Sequence, residues 1–158
     1  MNLTVSTIAK SIADYLAAIP DAPFAGVEMY EDPNQQGSQP PCMFLQTRYI
    51  RLKLEMGGYW LRILGIELTC LLDYNLPDLQ RQYQAAAEAL DLVMETFPYS
   101  DGSGEGQVLL RTYDREWTVD LDAMHYKFEL RERVNIPEQF VKMQTMDLDE
   151  DIHNGKNG

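Results

Sequence analysis

The sequence predicts an α+β domain in which two amphipathic helices cover one face of a mixed, mainly antiparallel β-sheet. Three observations predict it: two segments with helical spacing of apolar residues, two strand pairs joined by short turns, and one short strand near the start. The elements follow the order α-β-β-β-α-β-β. The stretch from Cys42 to Tyr74 supplies an unusually long hairpin, which we expect to project from the sheet.

The first two elements are short and end at clear stop signals. A helix is predicted over residues 4–19, with Thr4 or Ser6 as its N-cap and Pro20 as its end. A short strand is predicted over residues 26–31, before the polar loop DPNQQGSQPP.

The long hairpin turns at a Gly57-Gly58 pair, which is typical of two-residue β-turns. A two-residue turn places Met56 opposite Tyr59. The two strands then have roughly twelve to fifteen residues each, whereas strands usually have about 5–6 residues. We therefore expect part of this hairpin to serve something other than the core of the monomer.

The apolar face of the hairpin changes side halfway along in this register. Near the tip one face carries Ile50, Leu52, Leu54, Leu61 and Ile63. Nearer the base the opposite face is apolar, with Met43, Leu45, Tyr49, Ile66, Leu68, Cys70 and Leu72. Arg48 is expected opposite Glu67 as a cross-strand ion pair at the crossover, while Lys53 opposite Arg62 is an unfavourable pair.

Two explanations fit this change of side. A bulge near Gly65, or a strong twist, produces it within one monomer, because glycine in a strand often marks such a bend. Alternatively, the distal half of the hairpin projects and buries its apolar face against a neighbouring subunit. In that case the subunit interface consists of Arg48, Ile50, Leu52, Leu54, Leu61, Ile63 and Glu67.

The second helix and the second hairpin complete the fold. After Pro77 a helix is predicted through to Pro98, on an apolar stripe of Leu79, Tyr83, Ala86, Leu90, Val93, Met94 and Phe97. A flexible loop over residues 100–106 precedes strands over residues 108–119 and 124–134. The return strand alternates, with Met124, Tyr126, Phe128 and Leu130 facing inward.

Length and composition indicate one domain in a reducing compartment. The chain has 158 residues, 45% of them hydrophobic, so residues 1–136 can form a single core, followed by an acidic, partly flexible tail over residues 137–158. No apolar run approaches the ~20 residues of a membrane span, and no leader pattern is visible, so we expect a cytoplasmic protein. Cys42 and Cys70 lie on opposite predicted faces, which disfavours a disulfide between them.

The net charge of −12, from 25 acidic and 13 basic residues, disfavours specific binding of nucleic acid. Acidity of this kind keeps a protein soluble. On the wall of a ring it would also let DNA slide through without sticking.

The sequence contains no recognisable catalytic, cofactor or metal motif. His125 is predicted on a solvated strand face and His153 in the tail, and the glycines of DGSGEG lack the lysine of a phosphate loop. Asp120 and Asp122 sit at a predicted turn, where aspartate bonds the local backbone. The acidic cluster of the tail lacks calcium-loop spacing; it consists of Asp147, Asp149, Glu150 and Asp151. We therefore expect a protein that is not an enzyme and that binds neither cofactor nor metal.

In its segments the chain resembles the tail terminator proteins of long-tailed bacteriophages and prophages of Gram-positive hosts. The resemblance covers roughly residues 3–134. It rests on the segments IPDAPF, GVEMYED, PPCMFLQ, LTCLLDY, LQRQYQAAAEALDLVMETF and LLRTYDREWTVDLDAMHYKFELRERV.

The resemblance implies a structural virion protein of the tail and neck, made in the host cytoplasm. Such proteins form a homo-oligomeric ring, commonly a hexamer, that caps the tail tube, stops its polymerisation and joins the filled head. The implied partners are further copies of the chain, the tail tube protein and a head-completion or connector protein, with DNA passing through the ring.

Two other function classes stay open at this stage. One is another neck, connector or tail tube component. The other is a small α+β enzyme or ligand-binding domain with a site around Trp60, Tyr113 and Trp117.

Overall fold

A computed structural model of the chain describes residues 3–31 and 39–135. The elements are α1 Val5–Ala17, β1 Glu28–Tyr30, β2 Cys42–Leu54, β3 Trp60–Leu71, α2 Leu79–Val93, β4 Thr96–Tyr99, β5 Val108–Arg111, β6 Tyr113–Val119 and β7 Met124–Val134. The predicted α+β class and element order are confirmed, with β4 and β5 inserted as a separate two-stranded sheet. The predictions for the tail, including His153 and the acidic cluster, lie outside the described residues.

The main sheet has five strands in the order β1-β2-β3-β7-β6. β1 pairs in parallel with β2, whereas the other three pairings are antiparallel. β1 reaches only from Cys42 to Phe44 of β2, so within the described residues no strand pairs with the outer edge of β2 beyond Phe44.

α1 begins at a capping box. The Thr4 hydroxyl accepts a hydrogen bond from the Thr7 amide at 3.2 Å, and the Thr7 hydroxyl lies 3.3 Å from the Thr4 amide. These contacts satisfy two amides that a helix start otherwise leaves unpaired. The predicted cap at Thr4 is confirmed, and the helix ends at Ala17, shortly before Pro20.

α2 is shorter than predicted. It ends at Val93, where the Met94 amide donates to the Leu90 carbonyl at 2.8 Å, and the chain continues as β4. The prediction was wrong beyond Val93 because Met94 and Phe97 also fit helical spacing, while Phe97 and Tyr99 in fact alternate inward at strand period.

The predicted strand over residues 108–119 is divided at Thr112. The Thr112 hydroxyl donates to the Met94 carbonyl at 2.5 Å and its amide donates to the Glu95 carbonyl at 3.0 Å. β5 therefore pairs with β4 and β6 pairs with β7. The return strand β7 is confirmed, since all four predicted inward residues are buried.

Both helices pack on the same side of the main sheet and share one core. Its helical members include Ile8, Ile12, Leu16, Tyr83, Ala86 and Leu90; its sheet members include Met43, Leu45, Leu64, Ile66, Leu68, Cys70, Met124, Tyr126, Phe128 and Leu130. None of the helices described is long and apolar enough to span a membrane.

The two cysteines lie on opposite faces of the sheet, as predicted. Cys70 pairs with Met43, the neighbour of Cys42, and both thiols are free and buried. Burial raises the pKa of the Cys70 thiol to about 12, so it stays protonated and inert at neutral pH.

Candidate subunit interface

The distal part of the long hairpin is more exposed than its base, although Leu64 within it and Leu130 beside it on β7 still belong to the shared core. We call it the arm: residues 49–54 of β2, 60–64 of β3 and 130–134 of β7. β7 runs beside β3 to its end, where Val134 pairs with Trp60. The arm is therefore three strands wide, which stiffens it.

The turn at the end of the arm has three residues instead of the predicted two. The Glu55 amide donates to the Tyr59 carbonyl at 2.9 Å, and Leu54 pairs with Trp60. This moves the pairing of the arm strands by one residue relative to the prediction. Because side chains alternate between the two faces of a strand, a shift of one residue exchanges the face on which each β3 side chain lies relative to β2.

A bulge at Arg48 compensates for this shift. Thr47 pairs with Ile66 and Tyr49 pairs with Gly65, so Arg48 has no partner across the hairpin. The prediction of a bulge near Gly65 is confirmed. It keeps the even-numbered side chains of the β2 arm segment on the helix side of the sheet, where Met43 and Leu45 also lie, so this apolar face does not change side.

Three apolar side chains of β2 form an exposed stripe on the helix side of the arm. They are Ile50, Leu52 and Leu54, with exposed fractions of 52%, 49% and 56%, and we call them the arm stripe. They belong to the segment of β2 whose outer edge has no partner among the described strands. An apolar stripe beside an open strand edge is the usual mark of a surface that pairs with another chain.

The other two apolar residues of the predicted interface lie on the opposite face. Leu61 pairs with Lys53 and Ile63 pairs with Arg51, and both are half-buried. The prediction of one face containing all five apolar residues was wrong, because the turn has three residues.

The predicted ion pair between Arg48 and Glu67 is absent. Glu67 pairs with Gln46, and its carboxylate lies 3.5 Å from His125 Nδ1 and 4.0 Å from Lys127 Nζ. The Arg48 guanidinium instead lies 5.5 Å from the centre of the Tyr49 ring. The bulge places Arg48 outside the ladder, so it cannot face Glu67.

The predicted repulsion between Lys53 and Arg62 is also absent. Lys53 faces Leu61, while Arg62 pairs with Leu52. The Arg62 guanidinium binds the Glu132 carboxylate at 3.2 Å and the Leu3 carbonyl at 3.2 Å on the helix side. This ion pair lies beside Leu52, the middle residue of the arm stripe.

On the outer face Tyr49 reaches across β3 to β7. Its hydroxyl donates to Glu129 Oε2 at 2.5 Å, and the Arg51 guanidinium lies 4.3 Å from its ring centre. The hydrogen bond from Tyr49, followed by those from Arg131, holds the pKa of the Glu129 carboxyl below its ordinary value. The same hydrogen bond raises the pKa of Tyr49. These contacts fix the three strands of the arm to one another.

His125 is more constrained than a solvated surface histidine. Its Nε2 lies 2.9 Å from the Asp120 carboxylate and its Nδ1 lies 3.5 Å from Glu67. Asp120 also accepts the amides of Asp122 and Ala123, which confirms its predicted role in the turn. Among the described residues no group of three or more His, Cys, Asp or Glu side chains could hold a metal ion.

The aromatic residues considered for a ligand site do not meet. Trp60 pairs with Val134 of β7 and Trp117 pairs with Tyr126, eight residues away along the same strand, or about 26 Å. The Trp117 indole donates to the Asp91 carboxylate at 2.9 Å, which ties β6 to α2. Tyr113 pairs with Glu129, and its ring centre lies 4.1 Å from the Arg131 guanidinium. Trp60 and Trp117 therefore share no pocket.

Two shallow cavities lie on the helix side, away from the arm. One has a volume of about 150 Å³ and lies around Tyr99, Asp101 and Val108; the other, of about 230 Å³, lies between Tyr15 and Pro98. The Ser11 hydroxyl, at the edge of the second cavity, donates to the Ser100 carbonyl and accepts from the Ser100 amide. In the second lining Ser11 bonds to the backbone and the Asp14 carboxylate pairs with Lys10, so neither cavity presents a nucleophile beside a free base, and the arm is the stronger candidate site.

Comparisons with known proteins assign neither a family nor a function to the chain. No family model matches the chain, and no curated protein matches it. Several solved structures are similar, among them one with 14% identity over 84% of this chain and 94% of that chain and a TM-score of 0.36. A likeness at this level carries no argument about function.

Proposed function

We propose that this chain is a structural virion protein, a tail terminator whose copies form a ring that caps the tail tube and receives the filled head. The observation that carries the proposal is the arm stripe beside the open edge of β2. Its three side chains are about half exposed, although equivalent residues nearer the base of the hairpin are fully buried.

A closed ring requires that each copy present two different surfaces, one of which binds the other on the next copy. The arm suits one of these roles, because it is rigid, lies at one end of the molecule and offers both unpaired backbone groups and apolar side chains. An added strand would satisfy the backbone, while the stripe would bury its apolar area.

The distribution of charge also favours contact between unlike surfaces. The chain carries a net charge of −12, yet Arg51 and Lys53 lie on the β2 segment of the arm, and Arg48 directly precedes that segment. A cationic arm is attracted to the acidic remainder of a second copy and is repelled by another arm. Head-to-tail contacts are thereby favoured over arm-to-arm contacts.

In this proposal the ring is a homohexamer at the neck of the virion. One face contacts the last ring of tail tube protein and the other contacts the head-completion or connector protein. DNA passes through the channel without specific binding. The protein acts by covering the growing end of the tube, because an uncapped end keeps presenting the surface that recruited the previous ring.

The deciding experiment is a phage in which the gene for this protein is deleted. We expect filled heads together with unjoined tails of abnormal, often excessive, length by electron microscopy. Complementation with the wild-type gene should restore normal tails.

A deletion that yields tails of normal length, or no tails, contradicts the proposal. Tails of normal length with unjoined heads would instead indicate a connector, and the absence of tails would indicate a tube component. A matched allele, Leu52→Asp with Leu54→Asp, should reproduce the deletion, whereas Leu121→Asp, at an exposed turn outside the arm, should not.

A further inference from the structure

The outer face of the arm combines cations with an apolar centre. Lys53 and Arg51 of β2 flank Leu61 and Ile63 of β3 on one side, and Arg133 and Arg131 of β7 flank them on the other. We call these six residues the cationic face. It holds four of the 13 basic residues of a chain whose net charge is −12.

The carboxylates on this face only partly neutralise it. Glu129 is shared between Arg131, at 3.3 Å, and Arg51, at 4.0 Å, while Asp114 lies 3.4 Å from Arg131 and Glu55 lies 3.7 Å from Lys53. Among the described residues Arg133 has no carboxylate partner and lies 4.5 Å from the centre of the Tyr59 ring. The Arg51 and Lys53 side chains remain 64% and 67% exposed, so they can accept a further anion.

The acidic end of the chain starts from this face. β7 ends at Val134, directly beyond Arg133, and residues 136–158 follow. Four carboxylates lie between Asp147 and Asp151 with no lysine or arginine among them. From Asn135 to Asp147 is twelve residues, which span up to about 40 Å when extended, while Arg131 and Val134 lie only about 10 Å apart along the strand.

We propose that the acidic segment 147–151 docks on the cationic face of the same chain. Charge and reach allow it, and the short connection gives the segment an effective concentration of about a millimolar at the face. The apolar centre favours this occupant over a nucleic acid, because Leu148 lies among the carboxylates and Met146 and Ile152 flank them, whereas a phosphate backbone offers nothing to Leu61 and Ile63.

Disulfide cross-linking in the full-length chain tests the proposal. One protein carries Ile152→Cys with Lys53→Cys, and its matched control carries Ile152→Cys with Leu54→Cys. Positions 53 and 54 are neighbours, are both exposed and point to opposite faces of the arm. The native cysteines are buried and do not compete. We expect the intrachain disulfide at position 53 to form about tenfold faster than that at position 54.

If assembly buries position 54, a variant without the tail carboxylates still tests the proposal. Replacing the carboxylates by Asp147→Asn, Asp149→Asn, Glu150→Gln and Asp151→Asn should slow the reaction at position 53 to the rate at position 54. About 1 M salt, where the Debye length falls to about 3 Å, should do the same.

Three outcomes would overturn the proposal. They are equal rates at the two positions, a rate at position 53 that does not depend on the tail carboxylates, and a disulfide that forms only between chains. Salt-sensitive retardation of a DNA duplex by the unmodified chain would also overturn it and would make the cationic face a nucleic-acid surface. The dependence of the rate at position 53 on the tail carboxylates does not involve the arm stripe, so this outcome is independent of the proposed ring.

Discussion

The ring of Tyr49 lies flat over Gly65 of the neighbouring strand. A Cβ atom at position 65 would be 2.7 Å from Tyr49 Cε2, so no side chain other than hydrogen fits beneath the ring. Gly65 in turn pairs with Glu129, which accepts the hydrogen bond from the Tyr49 hydroxyl. Tyr49 therefore contacts all three strands of the arm directly beside the bulge at Arg48. The row of Tyr49, Gly65 and Glu129 fixes the register of the arm.

Gly65→Ala should destabilise the fold by about 1–3 kcal/mol, because the added methyl group displaces a ring that is held at its hydroxyl. Urea unfolding followed by circular dichroism measures the cost. In a Tyr49→Ala background the same substitution should cost far less, since the ring is gone. An equal cost in both backgrounds would show that Gly65 is needed for its backbone and not for the ring.

Tyr49→Phe should cost about 1–3 kcal/mol at pH 7, since it removes a hydrogen bond to a largely buried carboxylate but keeps the packing on Gly65. The bond holds the pKa of Glu129 below its ordinary 4.5, so its stabilisation is present above about pH 4.5 and is lost as the pH falls through the lowered pKa. Unfolding free energies of the two proteins should therefore converge once the pH falls below the lowered pKa of Glu129. A gap that is independent of pH would mean that the ionised form of Glu129 is not what Tyr49 stabilises.

Much of the fold follows from periodicity alone. The alternation in β7 predicts which of its residues are buried, because one face of an antiparallel strand meets the core and the other meets solvent. Likewise the cap at Thr4 and the stop at Pro20 locate α1 to within a few residues. These features depend on interactions between residues that are close in sequence, so the sequence predicts them directly.

The arrangement of the arm depends on two features that local sequence does not determine. Gly57-Gly58 indicates a turn but not whether two or three residues form it, and that choice decides whether Leu61 and Ile63 share a face with Leu52. The sequence does not show that the extra residue is Arg48. Its position follows only from the packing of Tyr49 on Gly65 in the structure. A tyrosine on one strand and a glycine on the next are a weak signal by themselves, because the sequence does not show that they face each other.

Leu90→Ala tests how α2 is oriented on the sheet. Leu90 is fully buried in the shared core, so its truncation should cost about 2–5 kcal/mol. Leu92→Ala, on the same helix at 86% exposure, is the matched control and should change the free energy of unfolding by less than about 0.5 kcal/mol. Similar costs for the two variants would mean that the helix presents another face to the sheet.

Leu52→Asp together with Leu54→Asp tests the arm stripe as a contact between copies. Both side chains are half exposed in the monomer, so the variant should retain its circular dichroism spectrum and its unfolding midpoint. In an assembled ring the two carboxylates would be desolvated, at a cost of several kcal/mol, and assembly should be lost. Light scattering after size exclusion measures the mass of the particle directly.

The matched control is Leu61→Asp, which lies one strand away on the opposite face of the arm. If assembly uses the helix side of the arm, Leu61→Asp should still assemble, although it introduces a carboxylate at the same height of the hairpin. Loss of assembly in both variants would place both faces of the arm in the contact. A normal ring from the Leu52→Asp, Leu54→Asp protein would remove the observation on which the proposed ring depends, because these two residues and Ile50 are the exposed apolar side chains beside the open edge of β2.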